Sequence, residues 1–251
     1  VSGEADAAPL LLISVFSLEE VDTALAGGAD IVDLKNPLEG SLGAAPPRLL
    51  RAVRKALPGD RLLSAALGDA PHLPGTLALA AATAAGCGAD YVKVGLLGSS
   101  RPEQAAELLA AVQEAVEDQN PRTRVIGVAY ADARRVGALP PEALPPVARE
   151  AGIHGIMLDT AVKDGASSFH ALGADGVAAF LASGRGLGLR TALAGALGPR
   201  ELAQGRSLGA GILGVRGSAC DGGRRGRLDA LRIRELRDEL RRSVSPVSAL
   251  P

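Results

Sequence analysis

Eight short apolar runs, each followed by a longer Ala- and Leu-rich stretch, recur along the whole chain, and this alternation restricts its fold more than any other feature. The runs are Leu10–Phe16, Asp30–Lys35, Arg61–Leu67, Tyr91–Gly95, Arg124–Tyr130, Gly155–Asp159, Leu189–Ala194 and Ile212–Arg216. Helical stretches are expected at Leu18–Ala26, Pro47–Ala56, Gly75–Ala85, Pro102–Glu117, Pro141–Glu150, Gly173–Ser183, Pro199–Ser207 and Arg227–Arg242, several opening on a proline that a first helical turn tolerates. Repeated strand-then-helix order implies parallel strands, because parallel neighbours need a crossover. Eight such units in 251 residues fit one closed barrel, which typically takes about 250 residues. The expected fold is therefore α/β, a single (β/α)8 TIM barrel over residues 10–243, with a loose N-terminus at 1–9 and a C-terminal tail at 244–251.

Three Gly-containing repeats support this reading. Gly28-Ala29-Asp30, Gly88-Ala89-Asp90 and Gly209-Ala210-Gly211 each close a helix and open a strand. The run Gly222–Arg227 reads as a solvated loop.

Hydrophobic residues make up 47% of the chain but aromatics only 2%, so the core is aliphatic. A formal net charge of −1 offers no global field for nucleic acid or an anionic membrane. Leu10–Phe16 is too short for a signal or membrane segment. The two cysteines, Cys87 and Cys220, lie far apart and outside any CxxC pattern, which fits a reducing cytoplasm. His72, His154 and His170 lack metal-ligand spacing, so no metal is expected. Nucleotide, dinucleotide and Ser-hydrolase motifs have no convincing setting, which favours a cofactor-free mechanism. Ala-rich outer helices suit association with further copies of the chain.

Among 27 basic residues only Lys35, Lys55, Lys93 and Lys163 are lysines. A chain that uses arginine wherever charge suffices reserves lysine for what arginine cannot do, namely lose its proton and act as a nucleophile or base. Three of these lysines fall at or just beyond strand ends. Side chains alternate across a strand, so Asp33 and Lys35 share the inward face of the second run while Val32 and Leu34 face the helices. By the same alternation Lys93 and Asp159 point inward, and Lys163 follows in the loop. Active sites of such barrels lie at the carboxyl ends of the strands. Clustered, buried ammonium groups lower one another's pKa, which lets one amine attack a carbonyl and form a Schiff base. Asp33 and Asp159 would hold the other amines or move protons.

Phosphate recognition is expected from Gly195 after the seventh run and from Gly214, Arg216, Gly217 and Ser218 around the eighth, through backbone N–H groups and one guanidinium. Gly40–Gly43 and Gly98–Ser100 are weaker candidates of the same kind.

The stretch Asp33-Leu34-Lys35-Asn36-Pro37, with Glu39-Gly40-Ser41-Leu42-Gly43-Ala44, resembles the (5-formylfuran-3-yl)methyl phosphate synthase family of methanofuran biosynthesis. Tyr91-Val92-Lys93-Val94-Gly95, Met157-Leu158-Asp159-Thr160 and Lys163-Asp164-Gly165 extend the likeness in the same order. The resemblance implies a cytoplasmic lyase that condenses two molecules of glyceraldehyde 3-phosphate into a phosphorylated furan aldehyde, with loss of one phosphate and water. It also implies that Lys35 is the Schiff-base lysine and Lys93 the proton acceptor, with Asp33, Asp159 and Lys163 in support. Two rivals remain: a class I aldolase or triose-phosphate isomerase-like enzyme, and a non-catalytic barrel subunit whose Lys-Asp pairs serve stability.

Overall fold

The apolar runs become eight parallel strands in a computed structural model that describes residues 8–69 and 71–241. They are β1 (Leu10–Val15), β2 (Ile31–Leu34), β3 (Leu62–Ala66), β4 (Tyr91–Gly95), β5 (Arg124–Tyr130), β6 (Gly155–Asp159), β7 (Arg190–Leu193) and β8 (Ile212–Val215). Each pairs with the next, and β8 pairs with β1, closing the barrel. The expected barrel fold is the observed one. The readings of residues 1–7 and 244–251 lie outside the described residues.

The helices are α1 (Glu19–Gly27), α2 (Pro47–Ala56), α3 (Pro74–Gly86), α4 (Pro102–Gln119), α5 (Ala133–Val136), α6 (Leu144–Glu150), α7 (Ser168–Leu172), α8 (Ala174–Gly186), α9 (Pro199–Ser207) and α10 (Ala230–Arg241). The short α5 and α7 are additional to the expected stretches, and two of the expected stretches begin differently for local reasons. The segment from Pro141 splits into a 3-10 turn, Pro141–Ala143, and then α6, because Pro145 and Pro146 lack N–H groups and fit only a first helical turn. The last helix does not start at Arg227: Arg227–Leu228 (β10) pairs antiparallel with Cys220–Asp221 (β9). Asp229 then receives the N–H groups of Leu231 and Arg232, so α10 begins after it.

Strand alternation divides the core into two packed regions. Ile13, Val32, Leu34, Val92, Val94 and Leu158 face outward into the layer between strands and helices. Leu12, Ile31, Tyr91, Ile126, Val128, Met157 and Ile212 fill the barrel interior. At the strands' amino ends the Gly-Ala-Asp repeat has a defined use: the Asp30 carboxylate accepts the N–H of Leu11, and Asp90 accepts that of Leu63. At the carboxyl ends the β7–β8 wall carries a run of small residues, Ala194, Gly195, Ala196, Gly214 and Gly217. With no Trp in the chain, nothing large plugs that side, and a cavity opens there.

Candidate active site

The cavity measures about 390 Å³ and brings together the residues that the lysine pattern singles out: Asp33, Lys35, Lys93, Asp159 and Lys163. Asp33 and Lys93 line the cavity from β2 and β4. Lys93 Nζ donates to Asp33 Oδ2 at 2.7 Å, with the two side chains 3% and 0% exposed. Ser14 Oγ donates to the same oxygen at 3.1 Å, and Asp33 Oδ1 has no protein partner among the described residues. Lys163 Nζ donates to Asp159 Oδ1 at 2.8 Å, an oxygen that also accepts the N–H of Thr160.

Lys35 differs from both paired lysines. It is buried, yet its amine makes no hydrogen bond or ion pair with any described residue. Burial disfavours its charged form and the Lys93 ammonium adds repulsion, while Asp159 and Asp33 oppose; the net effect brings its pKa down to about 7. Burial alone would raise the Asp159 carboxyl, but Lys163 and Lys35 outweigh it and hold the group at about 2. Asp33 is likewise lowered against its own burial by Lys93 and Lys35. The site therefore holds ionised carboxylates beside one amine that exchanges its proton near neutrality, the arrangement that amine attack on a carbonyl requires.

The loops that carry these groups are anchored by residues the sequence reading did not single out. Asp132, buried just beyond β5, accepts the N–H groups of Ala161 and Val162 at 2.7 and 2.9 Å and so fixes the loop bearing Lys163. Asp132→Ala is expected to lower turnover roughly tenfold and stability by about 1–2 kcal/mol, since two half-buried N–H groups lose their acceptor. Steady-state kinetics beside urea unfolding check this, and unchanged values in both would remove the anchoring role. Asp69, after β3, accepts the N–H of Leu42 at 2.8 Å and a close hydrogen bond from the Tyr130 hydroxyl. Ser41 Oγ donates to Thr160 O, so the loop after β2 is tied across the barrel top to β6. Burial and the Asp69 carboxylate push the Tyr130 phenol well above its usual pKa, so it acts as a neutral donor.

The phosphate candidates divide. Gly195 and Gly217 line the cavity in the loops after β7 and β8, and Gly214 forms its floor within β8. Gly195 has φ 91°, and a Cβ there would collide with Ser168 Oγ, so glycine is required. Ala196 follows in the same left-handed region at φ 51°, a strain of about 1–2 kcal/mol for a residue with a side chain. The backbone N–H groups of Gly195, Ala196 and Gly217 have no acceptor among the described residues. Ser218 instead ties the two loops together through its hydroxyl, which donates to Leu197 O at 2.8 Å. Gly40–Gly43 and Gly98–Ser100 do not line the cavity.

Arg216, just beyond β8, is held from several sides. Its Nη1 and Nη2 bond Glu20 at 2.7 and 2.8 Å, Nη1 also donates to Ser14 O, and Nε and Nη2 donate to the carbonyls of Arg224 and Gly226. Its guanidinium stacks 3.8 Å from the Phe16 ring centroid. All five N–H groups are taken up by its own chain, although the residue also lines the cavity. Arg224, inside the run read as a solvated loop, also lines the cavity, and its side chain makes no hydrogen bond or ion pair with any described residue. Its signal in the sequence is the flanking glycine pattern, which makes a tight turn rather than a flexible tether.

Among the described residues no group of three or more His, Cys, Asp or Glu is placed to hold a metal ion, and no helix is long and apolar enough to cross a membrane. Cys87 and Cys220 are buried and unbridged.

Solved structures with this fold include KGPDC from Streptococcus mutans, at TM-score 0.67 and 16% identity, covering 93% of this chain and 98% of that one. Another is 3-hexulose-6-phosphate synthase from Salmonella typhimurium, at TM-score 0.61 and 18% identity, covering 90% and 97%. At such identities they speak for the fold alone. Much nearer in sequence is (5-formylfuran-3-yl)methyl phosphate synthase of Methanocaldococcus jannaschii, 46% identical over 231 residues that span 91% of this chain and 98% of the relative. The enzyme of the same name from Methanothermobacter thermautotrophicus is 46% identical over 92% of this chain and 98% of its own length. A Streptomyces griseus relative, given that name provisionally, is 44% identical over 96% of this chain and 98% of its own. Residues 11–237 match the family described as 4-HFC-P synthase, and together with these identities this places the chain in the (5-formylfuran-3-yl)methyl phosphate synthase family.

Proposed function

We propose that this chain condenses two molecules of glyceraldehyde 3-phosphate into (5-formylfuran-3-yl)methyl phosphate, releasing one phosphate and water, by way of a Schiff base on Lys35. The observation that carries the reading is the state of Lys35, a buried, unpartnered amine whose pKa falls to about 7. The unprotonated amine adds to the aldehyde carbon of one triose, and loss of water leaves an iminium that acidifies the adjacent C–H. Lys93, bonded to Asp33, lies across the same cavity to exchange protons with the carbon chain, and the Lys163–Asp159 pair serves the later eliminations. The backbone N–H groups of Gly195, Ala196 and Gly217 suit a phosphoryl group, and Arg216 holds their surroundings in place.

The test is incubation of the purified protein with glyceraldehyde 3-phosphate alone, following inorganic phosphate and analysing products by mass spectrometry. A furan aldehyde phosphate supports the reading; an aldol or ketose that retains both phosphates points to a class I aldolase or isomerase. Borohydride should trap the substrate on the peptide containing Lys35.

The pH dependence has a definite sign. Deprotonation generates the nucleophile, so the rate of borohydride trapping should climb as pH rises through about 7 and then level off. A flat profile between about pH 5.5 and 9 would argue against Lys35 as the attacking amine.

A further inference from the structure

We infer that Arg224 forms a second phosphoryl-binding station in the cavity, separate from the backbone N–H groups after β7 and β8. The inference rests on the reading that two phosphorylated trioses meet here. Their condensation joins six carbons in a branched skeleton to which each triose brings one phosphoryl group, so until one is expelled the site must satisfy two dianions at once. The N–H groups of Gly195, Ala196 and Gly217 are enough for one tetrahedral phosphoryl group.

The remaining cations on the cavity wall are few. Lys93 and Lys163 are each held by a carboxylate, and Lys35 is the amine that reacts with carbon. Arg216 is saturated by its own chain. Arg224 alone lines the cavity with a guanidinium that makes no hydrogen bond or ion pair with any described residue. It is half-buried, and that burial lowers its pKa from the usual value although the Asp159 carboxylate, already paired with Lys163, opposes the shift. A dianionic ligand supplies what is missing.

The backbone beneath Arg224 is rigid. Arg216 Nε donates to the Arg224 carbonyl at 3.3 Å and Nη2 to that of Gly226 at 3.2 Å. Gly226 packs so closely on Asp221 O that any Cβ would collide with it. One arginine thus fixes the turn from which the other reaches, and a planar fork on a fixed stem suits bidentate phosphate recognition.

The experiment compares the binding of hexane-1,6-diyl bisphosphate and n-hexyl phosphate by titration calorimetry, in the wild-type chain and in Arg224→Gln. Wild type should prefer the bisphosphate by about 30-fold or more, since the second phosphoryl group binds at high effective concentration. Arg224→Gln should erase that preference while n-hexyl phosphate still binds at the backbone N–H groups after β7 and β8, which also reports an intact site. Arg224→Lys should restore part of it. A preference that survives in Arg224→Gln, or that is missing from the wild type, overturns the second station. Should the wild type show the preference, and Arg224→Gln lose it, with no furan formed from glyceraldehyde 3-phosphate, the condensation reading falls and the two-station site stands.

Discussion

Lys35→Arg is expected to keep the fold at some cost in stability, since a permanent cation replaces a buried amine that is partly neutral near pH 7, and to lose turnover by about 10³-fold or more, because the nucleophile is gone. Arginine does not lose its proton at any pH a protein tolerates, so no rise in pH should rescue the variant. A companion substitution, Lys35→Met, separates chemistry from stability. The folded pKa of Lys35 lies near 7, below the ordinary lysine value of 10.5. Between these pH values the unfolded chain binds more protons than the folded one, so stability rises with pH across that window. Below it the buried ammonium carries its full penalty. Lys35→Met should therefore be more stable than the wild type at about pH 6, by on the order of 3 kcal/mol, with the difference shrinking as pH approaches about 10. Urea unfolding at several pH values measures it; a variant less stable than the wild type at the acidic end would contradict the assigned state of the amine.

Asp33→Ala is expected to be the most destabilising single change at the site, costing about 3–5 kcal/mol, because it strands the Lys93 ammonium in the barrel interior. Asp33 is fully buried, and Lys93 has only Asp33 as an ion-pair partner among the described residues. The double variant Asp33→Ala/Lys93→Met should recover much of the loss, since an apolar filling of similar volume replaces a desolvated pair. A cycle of the two single variants and the double measures this coupling, and additive effects would show that the pair is not the stabilising unit. All three variants should be inactive, so stability and turnover part company in the double variant.

Strand number, order and facing were legible because they follow from a period of two and from the parallel crossover rule. The inward placement of Asp33, Lys93 and Asp159 needed nothing more than alternation along β2, β4 and β6. Loop residues were another matter. Asp132 and Asp69 act by accepting N–H groups 27 to 30 positions away, and no local pattern announces such a partner. Arg216 looked like a ligand because its strand end was right, yet its partner Glu20 lies 196 positions earlier, beyond any local pattern. Arg224 was hidden for the converse reason: charge and glycine are what solvated loops are made of, and only the closed turn beneath it turns the side chain into part of a wall.

The ion pair between Arg216 and Glu20 also sits on the seam where the first and last units of the barrel meet, beside the β1–β8 pairing. A contact of such span forms only after nearly the entire chain has found its place, because the loop it closes is among the longest available. The turn bearing Arg224 depends on that contact. A nascent or truncated chain could bring its second and fourth strands together and present amines, but without the seam it would have no fixed grip on an anion. Reactive sugar phosphates would then find a competent partner only in the finished molecule, and the closing of the ring would double as an inspection of its own completeness.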